Sequence, residues 1–275
     1  MKTLIFSDLD GSLLDHNDYS YAPAQEYLKL LEQAGIAVLF VTSKTRDEVV
    51  EVRNVLCNRH PFAVENGAAV YIPKDYPLKI SHPVDVQEDY FVKRFSDKRS
   101  HFLDLLERAR DLYPDRFRGF SDSSVGEISN ITGLDMESAR RASAREYGEP
   151  IRWLGTAEEF DLFKQFLTNN GATVVAGGRF VHVGGGGSKG KAVSWLMQQF
   201  SQQDKVRSIA VGDSENDLPM FEATDHAVVV KNPESVSIEV SPKQGKKVIY
   251  TGQAAPAGWV EGVSQIIGKL DVFSV

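Results

Sequence analysis

Cysteine is nearly absent from this 275-residue chain, which also lacks long apolar runs and a surplus of positive charge. Because Cys57 is the only cysteine, neither an intrachain disulfide nor a cysteine metal cluster can form. No apolar run approaches the ~20 residues that a membrane-spanning helix requires. The net charge of −7, from 31 basic and 38 acidic residues, argues against a nucleic-acid partner. We therefore expect neither a membrane protein nor a nucleic-acid binder.

The amino-terminal segment 1–6 is too short in its apolar part for a secretory leader, and acidic residues follow it directly. Hydrophobic residues make up 42% of the chain and charged residues 25%, as in ordinary globular proteins. A cytoplasmic location is the simplest expectation. The length fits one large domain or two.

Both ends of the chain alternate short apolar runs with helical patterns. Strands are predicted at residues 3–6, 36–41, 62–64, 208–211, 227–230 and 248–250. One intervening helix begins after Thr45, which has capping-box spacing to Glu48, and another begins at Lys189. This alternation predicts a parallel sheet with right-handed crossovers.

The middle of the chain has a different pattern. It combines two charged helices with short strands, and Gly177-Gly178 is a hairpin signal between two of these strands. The glycine tract 184–187 is the best linker candidate. We predict an α+β domain at residues 84–187, inserted into an α/β core made of residues 1–83 and 188–275.

Four polar clusters lie at predicted strand ends or at a helix start in the two parts of the core. They are Asp8 with Asp10, Thr42 with Ser43, Lys189, and Asp213 with Asp217. In an open parallel sheet the carboxyl ends of all strands lie on one edge, where ligands bind. We therefore expect these clusters to converge.

The chemistry of these clusters suggests a metal and a phosphate. Asp8 and Asp10 repel each other at such short spacing, which calls for a cation, and Asp213 adds another oxygen donor suited to Mg²⁺. Taken alone, Asp-x-Asp-Gly is more often a turn with a helix cap, and a glycosyltransferase metal motif has the same letters. The other three clusters favour phosphate chemistry.

The clusters match a known pattern. Segments 6–14, 41–44, Lys189 after its glycine-rich turn, and 212–217 resemble, in order, the four motifs of the haloacid-dehalogenase superfamily. Ser12 departs from the threonine usual in that superfamily. The insertion resembles the cap of its sugar-phosphatase branch. With segments 65–67, 145–150 and 177–182, nearly the whole chain resembles the mannosyl-3-phosphoglycerate phosphatase family.

The resemblance implies a Rossmann-like parallel-sheet core of the haloacid-dehalogenase type with an inserted α+β cap. It implies that Asp8 is a nucleophile that forms an aspartyl-phosphate and that Asp10 is the general acid/base. The metal, Mg²⁺ or Mn²⁺, would be held by Asp8, the carbonyl of Asp10, and Asp213.

The remaining roles implied by the resemblance are binding and orientation. Thr42, with the backbone of Ser43, would bond a phosphoryl oxygen, and Lys189 would offset its charge. Asn216 and Asp217 would orient Lys189 and the waters on the metal.

Four residues are candidates for contact with the rest of the substrate. We expect Lys44 and Asn66 near the sugar or glycerate. A sugar acid carries a carboxylate that suits an arginine fork, with Arg179 as first choice and Arg145 as second. A surface role is an equally open alternative for Arg145.

The resemblance implies a phosphatase that converts mannosyl-3-phosphoglycerate to mannosylglycerate, a compatible solute. Phosphatases of glucosyl-3-phosphoglycerate or sucrose phosphate stay open as alternatives, as do a phosphosugar mutase and a non-catalytic sensor of phosphorylated sugars. The expected partner is a small phosphorylated sugar acid, and the protein could be a monomer or a homodimer.

Overall fold

The computed structural model describes residues 1–176, 180–233, 238–241 and 245–268. Its strands are β1 (Lys2–Ser7), β2 (Ala37–Phe40), β3 (Phe62–Val64), β4 (Ala69–Pro73), β5 (Asp85–Gln87), β6 (Tyr90–Arg94), β7 (Phe117–Gly119), β8 (Gly148–Trp153), β9 (Thr173–Ala176), β10 (Val181–Gly184), β11 (Val206–Gly212), β12 (His226–Lys231) and β13 (Val248–Ala254). Its α-helices are α1 (Ala22–Gln33), α2 (Arg46–Val55), α3 (Arg99–Leu112), α4 (Val125–Thr132), α5 (Met136–Ser143), α6 (Ala157–Asn169), α7 (Lys189–Ser201), α8 (Leu218–Ala223) and α9 (Ala257–Ile267).

The central sheet is parallel, in the strand order β13-β12-β11-β1-β2. Helices cover both of its faces, which is why the strands are continuous apolar runs. On β1, Ile5 packs into the core on the side of α1 and α9, whereas Leu4 and Phe6 pack on the side of α7 and α8. The predicted parallel α/β core is confirmed.

Trp259 of α9 is the largest fully buried side chain of this core. Its ring packs edge-on against Tyr27 of α1, and its indole Nε1 donates a hydrogen bond of 2.8 Å to the Ser7 hydroxyl. The buried polar atom therefore has a partner at the end of β1.

Helix α2 begins where the sequence predicts. The Thr45 hydroxyl accepts from the Glu48 backbone N–H, and the Glu48 carboxylate accepts from the Thr45 N–H at 2.8 Å. This capping box satisfies two amides at the start of the helix. It fixes the loop that leads out of β2.

A second sheet is antiparallel, in the order β3-β4-β6-β5. The Thr42 N–H donates to the Ala63 carbonyl at 3.1 Å, which joins this sheet to the strand end of β2. Strands β5 and β6 lie within the range 84–187 that the sequence assigns to the insertion. Their pairing with β4 leads us to propose that the insertion starts after β6, and the division of the chain stays a prediction.

The third sheet, which belongs to the insertion, is antiparallel in the order β7-β8-β10-β9. One face packs against α3 and α6, where Phe163 lies 4.9 Å from Trp153 and 5.1 Å from Phe117, between ring centroids. The predicted α+β character of the insertion is confirmed. Arg179 and the predicted hairpin signal Gly177-Gly178 lie outside the described residues.

The glycine tract 184–187 is more than a spacer. A Cβ on Gly185 would lie 2.3 Å from the Ser96 hydroxyl oxygen, and one on Gly187 would lie 2.7 Å from the Ala68 Cα. Because real Cβ atoms do not approach so closely, Gly185 permits close packing between the two chain connections of the insertion, and Gly187 permits close packing on Ala68 of the core. Gly184 itself belongs to β10.

Candidate active site

The predicted polar clusters converge at the carboxyl edge of the parallel sheet. Asp8 follows β1 and Asp213 follows the neighbouring strand β11. The Asp8 N–H donates to the Val211 carbonyl at 2.9 Å, so the hydrogen bonds between β1 and β11 continue as far as Asp8, the candidate nucleophile. This pairing sets the two carboxylates side by side, as strand-end geometry predicts.

Lys189, the first residue of α7, is buried between two carboxylates. Its Nζ lies 2.9 Å from Asp8 Oδ2 and 2.6 Å from Asp217 Oδ1. Burial lowers the pKa of Lys189, but the charges of Asp217 and Asp8 outweigh it and leave the pKa above its ordinary value. The side chain is therefore an ammonium group in place to offset charge on a phosphate.

Asp8 has one paired and one unpaired oxygen. Its Oδ1 is buried and has no hydrogen-bond partner within the described part of the chain. Burial raises the pKa of Asp8 to about 8, against the effect of Lys189, and Asp217 and Asp213 add to the rise. A buried carboxylate oxygen in this state indicates a missing positive partner.

Three carboxylates form a group that can hold a metal ion. Oxygen atoms of Asp8, Asp213 and Asp217 lie within 4.8 Å of one another. Both Asp217 oxygens are already engaged, since Oδ1 meets Lys189 and Oδ2 accepts from the N–H groups of Asp213 and Ser214. The oxygens suited to a hard cation are therefore those of Asp8 and Asp213.

Asp213 is oriented by its neighbours. It accepts hydrogen bonds from the Ser12 hydroxyl at 3.2 Å and from the Asn232 amide at 2.6 Å. A Cβ on Gly11 would lie 2.5 Å from Asp213 Oδ2, and Gly11 has a φ of +74°. Only glycine therefore fits after Asp10.

Asp10 lies on the side of the site next to Lys44. Lys44 Nζ is 2.9 Å from Asp10 Oδ2 and 3.6 Å from Glu48 Oε1, and it lies over the Tyr19 ring. Burial lowers the pKa of Lys44, but Asp10 and Glu48 outweigh it and raise the pKa overall. The second oxygen of Asp10 is buried without a hydrogen-bond partner among the described residues.

The segment after β2 supplies the hydroxyl predicted to bond a phosphoryl oxygen. Thr42 is fully buried, and its Oγ1 accepts from the Lys44 N–H at 3.3 Å. Asn66, predicted near the substrate, accepts a hydrogen bond of 3.0 Å from the Asn216 side chain. Asp217 and Asn216 were both predicted to orient Lys189. Asp217 contacts it, whereas the Asn216 side chain hydrogen-bonds Asn66 and Ser214.

Comparison with known proteins agrees with this geometry. The family model of the haloacid dehalogenase-like hydrolases matches residues 5–247. The chain is a haloacid dehalogenase-like hydrolase.

This hydrolase is similar in sequence to two named phosphatases. A glucosyl-3-phosphoglycerate/mannosyl-3-phosphoglycerate phosphatase of Methanococcoides burtonii is 36% identical over 98% of both chains. A mannosyl-3-phosphoglycerate phosphatase of Pyrococcus furiosus is 35% identical over 84% of this chain and 91% of its own. A solved protein of Thermoplasma acidophilum has the same fold, with a TM-score of 0.65, 20% identity and coverage of 97% of each chain. The predicted family and fold class are confirmed, and phosphatase activity is supported.

Arg145 is not a surface arginine in this hydrolase. Its side chain is only 7% exposed, with Nε 3.5 Å from Glu65 Oε2 and a terminal nitrogen donating to the Ser43 carbonyl at 2.9 Å. The structure therefore brings Arg145 to the loop that carries Thr42.

In the described residues, no helix is both long and apolar enough to span a membrane.

Sequence reasoning missed Asn232, a residue of the site, and the contact of Glu65 with the insertion. Asn232 directly follows β12, the neighbour of β11, so the strand-end rule that selected Asp213 also applies to it. The sequence suggested Glu65 as a structural acceptor for turn amides, yet its buried carboxylate accepts from amides of the distant cap segment 145–147. No local signal indicates such a contact between residues 81 and 82 positions apart.

Proposed function

We propose that this hydrolase removes the phosphate from a hexosyl-3-phosphoglycerate, the mannosyl compound first, through a phosphoaspartate on Asp8. The observation that carries the proposal is the Asp8 carboxylate itself. It is buried at the sheet edge, with Lys189 on one oxygen and no hydrogen-bond partner in the described chain on the other. A group that only binds phosphate has no use for a carboxylate at this position, whereas a nucleophile requires it.

The proposed reaction has two displacements. In the first, an Asp8 oxygen bonds to phosphorus as the bond to the glycerate oxygen breaks, and Asp10 donates a proton to that leaving oxygen. In the second, water attacks phosphorus, Asp10 takes its proton, and the bond to Asp8 breaks to release phosphate. Lys44 Nζ, 2.9 Å from Asp10 Oδ2, would hold the Asp10 carboxyl group in place for both proton transfers.

The donor set fits a hard divalent cation. Asp8 and Asp213 supply carboxylate oxygens, the carbonyl of Asp10 is the proposed third ligand, and the unpartnered Asp8 Oδ1 is buried beside them. Mg²⁺ bound there would supply positive charge next to the phosphoryl oxygens. Lys189 adds its own charge, and the Thr42 hydroxyl and Ser43 backbone are proposed to bond the phosphate.

The relatives support the choice of substrate. The Pyrococcus furiosus protein is named for the mannosyl compound, and the Methanococcoides burtonii protein for both the glucosyl and the mannosyl compounds. The second name favours glucosyl-3-phosphoglycerate as a second substrate of this chain. Mannosylglycerate, a compatible solute, would be the main product.

The test is phosphate release from mannosyl-3-phosphoglycerate, glucosyl-3-phosphoglycerate and sucrose 6-phosphate, with Mg²⁺ or with a chelator. We expect metal-dependent release from the first two, abolished in Asp8→Asn. Asp15→Asn is a matched control, because Asp15 lies in the same segment but only accepts turn amides from Asn17 and Asp18. Turnover of sucrose 6-phosphate alone would refute the substrate, and no release from any ester would refute the phosphatase.

A further inference from the structure

The turn of residues 65–67, between β3 and β4, contacts the loops that carry the candidate catalytic residues. The Glu65 N–H donates to the Lys44 carbonyl and the Asn66 N–H to the Thr42 carbonyl, each at 2.9 Å. The Asn66 side chain accepts from Asn216, as described above. A Cβ on Gly67 would lie 2.8 Å from the backbone nitrogen of Lys189. The turn therefore touches the segments after β2 and β11 and the start of α7.

The backbone of this turn is left-handed at three consecutive residues. The φ angles are +47° at Glu65, +60° at Asn66 and +79° at Gly67. Glycine and asparagine adopt this region readily, but a glutamate does so only at a cost in backbone strain. A strained glutamate beside a candidate active site suggests that its side chain has a task there.

The Glu65 side chain reaches into the insertion. Its Oε1 accepts from the Glu146 N–H at 2.7 Å, and its Oε2 accepts from the Tyr147 N–H at 3.2 Å. Arg145 Nε lies 3.5 Å from the same Oε2 atom, and the Arg145 guanidinium also donates to the Ser43 carbonyl. Because the Glu65 side chain is only 3% exposed, these amides and Arg145 are what compensate its burial.

The residue after the turn contacts both chain connections between core and insertion. The Phe95 N–H donates to the Ala68 carbonyl at 2.8 Å, at the point where β6 leads into the cap. Gly187, on the return connection, packs directly on Ala68. A displacement of the cap relative to the core would therefore be transmitted to this turn through the segment 145–147, through Phe95 and through Gly187.

We propose that Glu65 is a positioning residue: it holds the cap segment 145–147 in register with the loop of Thr42 and Lys44. The inference rests on the proposed function, since the cap can select a leaving group only if the chain is a phosphatase. Glu65 then matters for esters whose leaving group reaches the cap. It matters little for a small ester that needs only Asp8, Asp10 and Lys189.

The first test compares Glu65→Gln with the unmodified enzyme on mannosyl-3-phosphoglycerate and on p-nitrophenyl phosphate. Loss of a charged acceptor for two amides should lower kcat/KM for the sugar acid by about tenfold to a hundredfold. The aryl phosphate should be hydrolysed nearly as before. Equal losses on both esters would indicate a merely structural role, and no loss on either would overturn the proposal.

Glu159→Gln is the matched control. The Glu159 carboxylate also accepts a backbone N–H, from Thr156 at 2.8 Å, and pairs with an arginine, Arg116, but it caps α6 at the periphery of the insertion. We expect unchanged kinetics on both esters. If Glu65→Gln does not fold, Glu65→Asp is the second variant, since its shorter side chain cannot hold both amides.

The second test does not depend on the substrate. Amide hydrogen exchange should accelerate at Glu146 and Tyr147 in Glu65→Gln and stay unchanged there in Glu159→Gln. If neither hexosyl phosphoglycerate is a substrate, the proposed function fails while the exchange rates still report on Glu65. Unchanged exchange at both amides would overturn the positioning role.

Discussion

Two buried cations, one in the core and one at the border of the insertion, are held in different ways. Lys189 donates to carboxylates of Asp8 and Asp217 at 2.9 and 2.6 Å and starts a 13-residue helix. Arg145 donates to one carbonyl, and its Nε has no hydrogen-bond partner in the described chain, lying 3.5 Å from Glu65. Lys189 thus forms a short ion pair with each of two carboxylates, whereas Arg145 has one hydrogen bond to a carbonyl and a longer contact with one carboxylate.

The difference suggests a division of tasks. A rigid sheet edge holds the groups proposed to break the phosphate bond, as preorganised charge stabilisation requires. The border with the insertion, which we propose selects the leaving group, has to admit substrate and release product. The following substitutions test whether chemistry and selection separate in this way.

The largest effect is expected for Asp8→Asn, which should lower phosphate release by roughly 10⁴-fold or more, because the proposed nucleophile is lost. In the presence of a chelator the same variant should have a higher Tm. The pKa of Asp8 is raised to about 8, so ionised Asp8 destabilises the metal-free fold increasingly as pH rises from about 4 to about 8.

Thermal unfolding at pH 8, with chelator and then with Mg²⁺, checks this expectation. Mg²⁺ should stabilise the unmodified protein more than the variant. A lower Tm for Asp8→Asn in chelator would contradict the charge balance described for the core site.

Lys189→Met should come next, with a loss of about 3–5 kcal/mol in the free energy of unfolding, because two carboxylates lose their buried partner. Denaturant unfolding measures the loss. Lys191→Met, two residues along the same helix at an exposed position, is the control and should change little. Equal stability of the two variants would mean that Lys189 is not the cation that holds the core site together.

Arg145→Met should act on selection rather than on chemistry. We expect about a tenfold rise in KM for the hexosyl phosphoglycerate, because Arg145 belongs to the cap segment 145–147 and links it to Glu65. The kcat for p-nitrophenyl phosphate should be nearly unchanged. Steady-state kinetics on both esters provides the measurement, and a fall in kcat for both would erase the distinction between the two regions.

The smallest effect is expected for Thr45→Ala, at about 1 kcal/mol of unfolding free energy. Thr45 caps α2 and also donates to the Arg141 carbonyl of α5 at 2.9 Å, so it contributes to both regions. Thr45→Ser keeps the hydroxyl and should retain most of the stability. Thermal unfolding of the two variants distinguishes the contribution of the Thr45 hydroxyl to stability from that of its methyl group.

The core was predictable because its information is local. A strand end, a capping box and a helix start can each be predicted from a few neighbouring residues. Because the carboxyl ends of parallel strands lie on one edge of the sheet, Asp8, Lys189 and Asp213 were expected to lie together. The start of α4 was equally readable, since Ser124 and Glu127 have the same spacing as Thr45 and Glu48, but it was missed.

The border with the insertion was not predictable in the same way. The contact of Glu65 with the amides of Glu146 and Tyr147 depends on how two sheets meet, and no spacing in the sequence encodes it. For Arg145, composition favours a surface position, and only tertiary packing places the guanidinium beside Ser43. Strands β5 and β6 were assigned to the insertion because sequence order gives no sign of their pairing with β4.

The hydrogen bond from Trp259 to Ser7 has an optical consequence. Ser7 precedes Asp8, and its hydroxyl in turn donates to the Asp8 carbonyl at 2.7 Å. An indole that is fully buried and bonded to this segment should emit at short wavelength, and its intensity should respond when charge is added at Asp8. With Trp153 and Trp195 replaced by phenylalanine, Trp259 would provide an intrinsic fluorescent reporter for the segment that carries the candidate nucleophile.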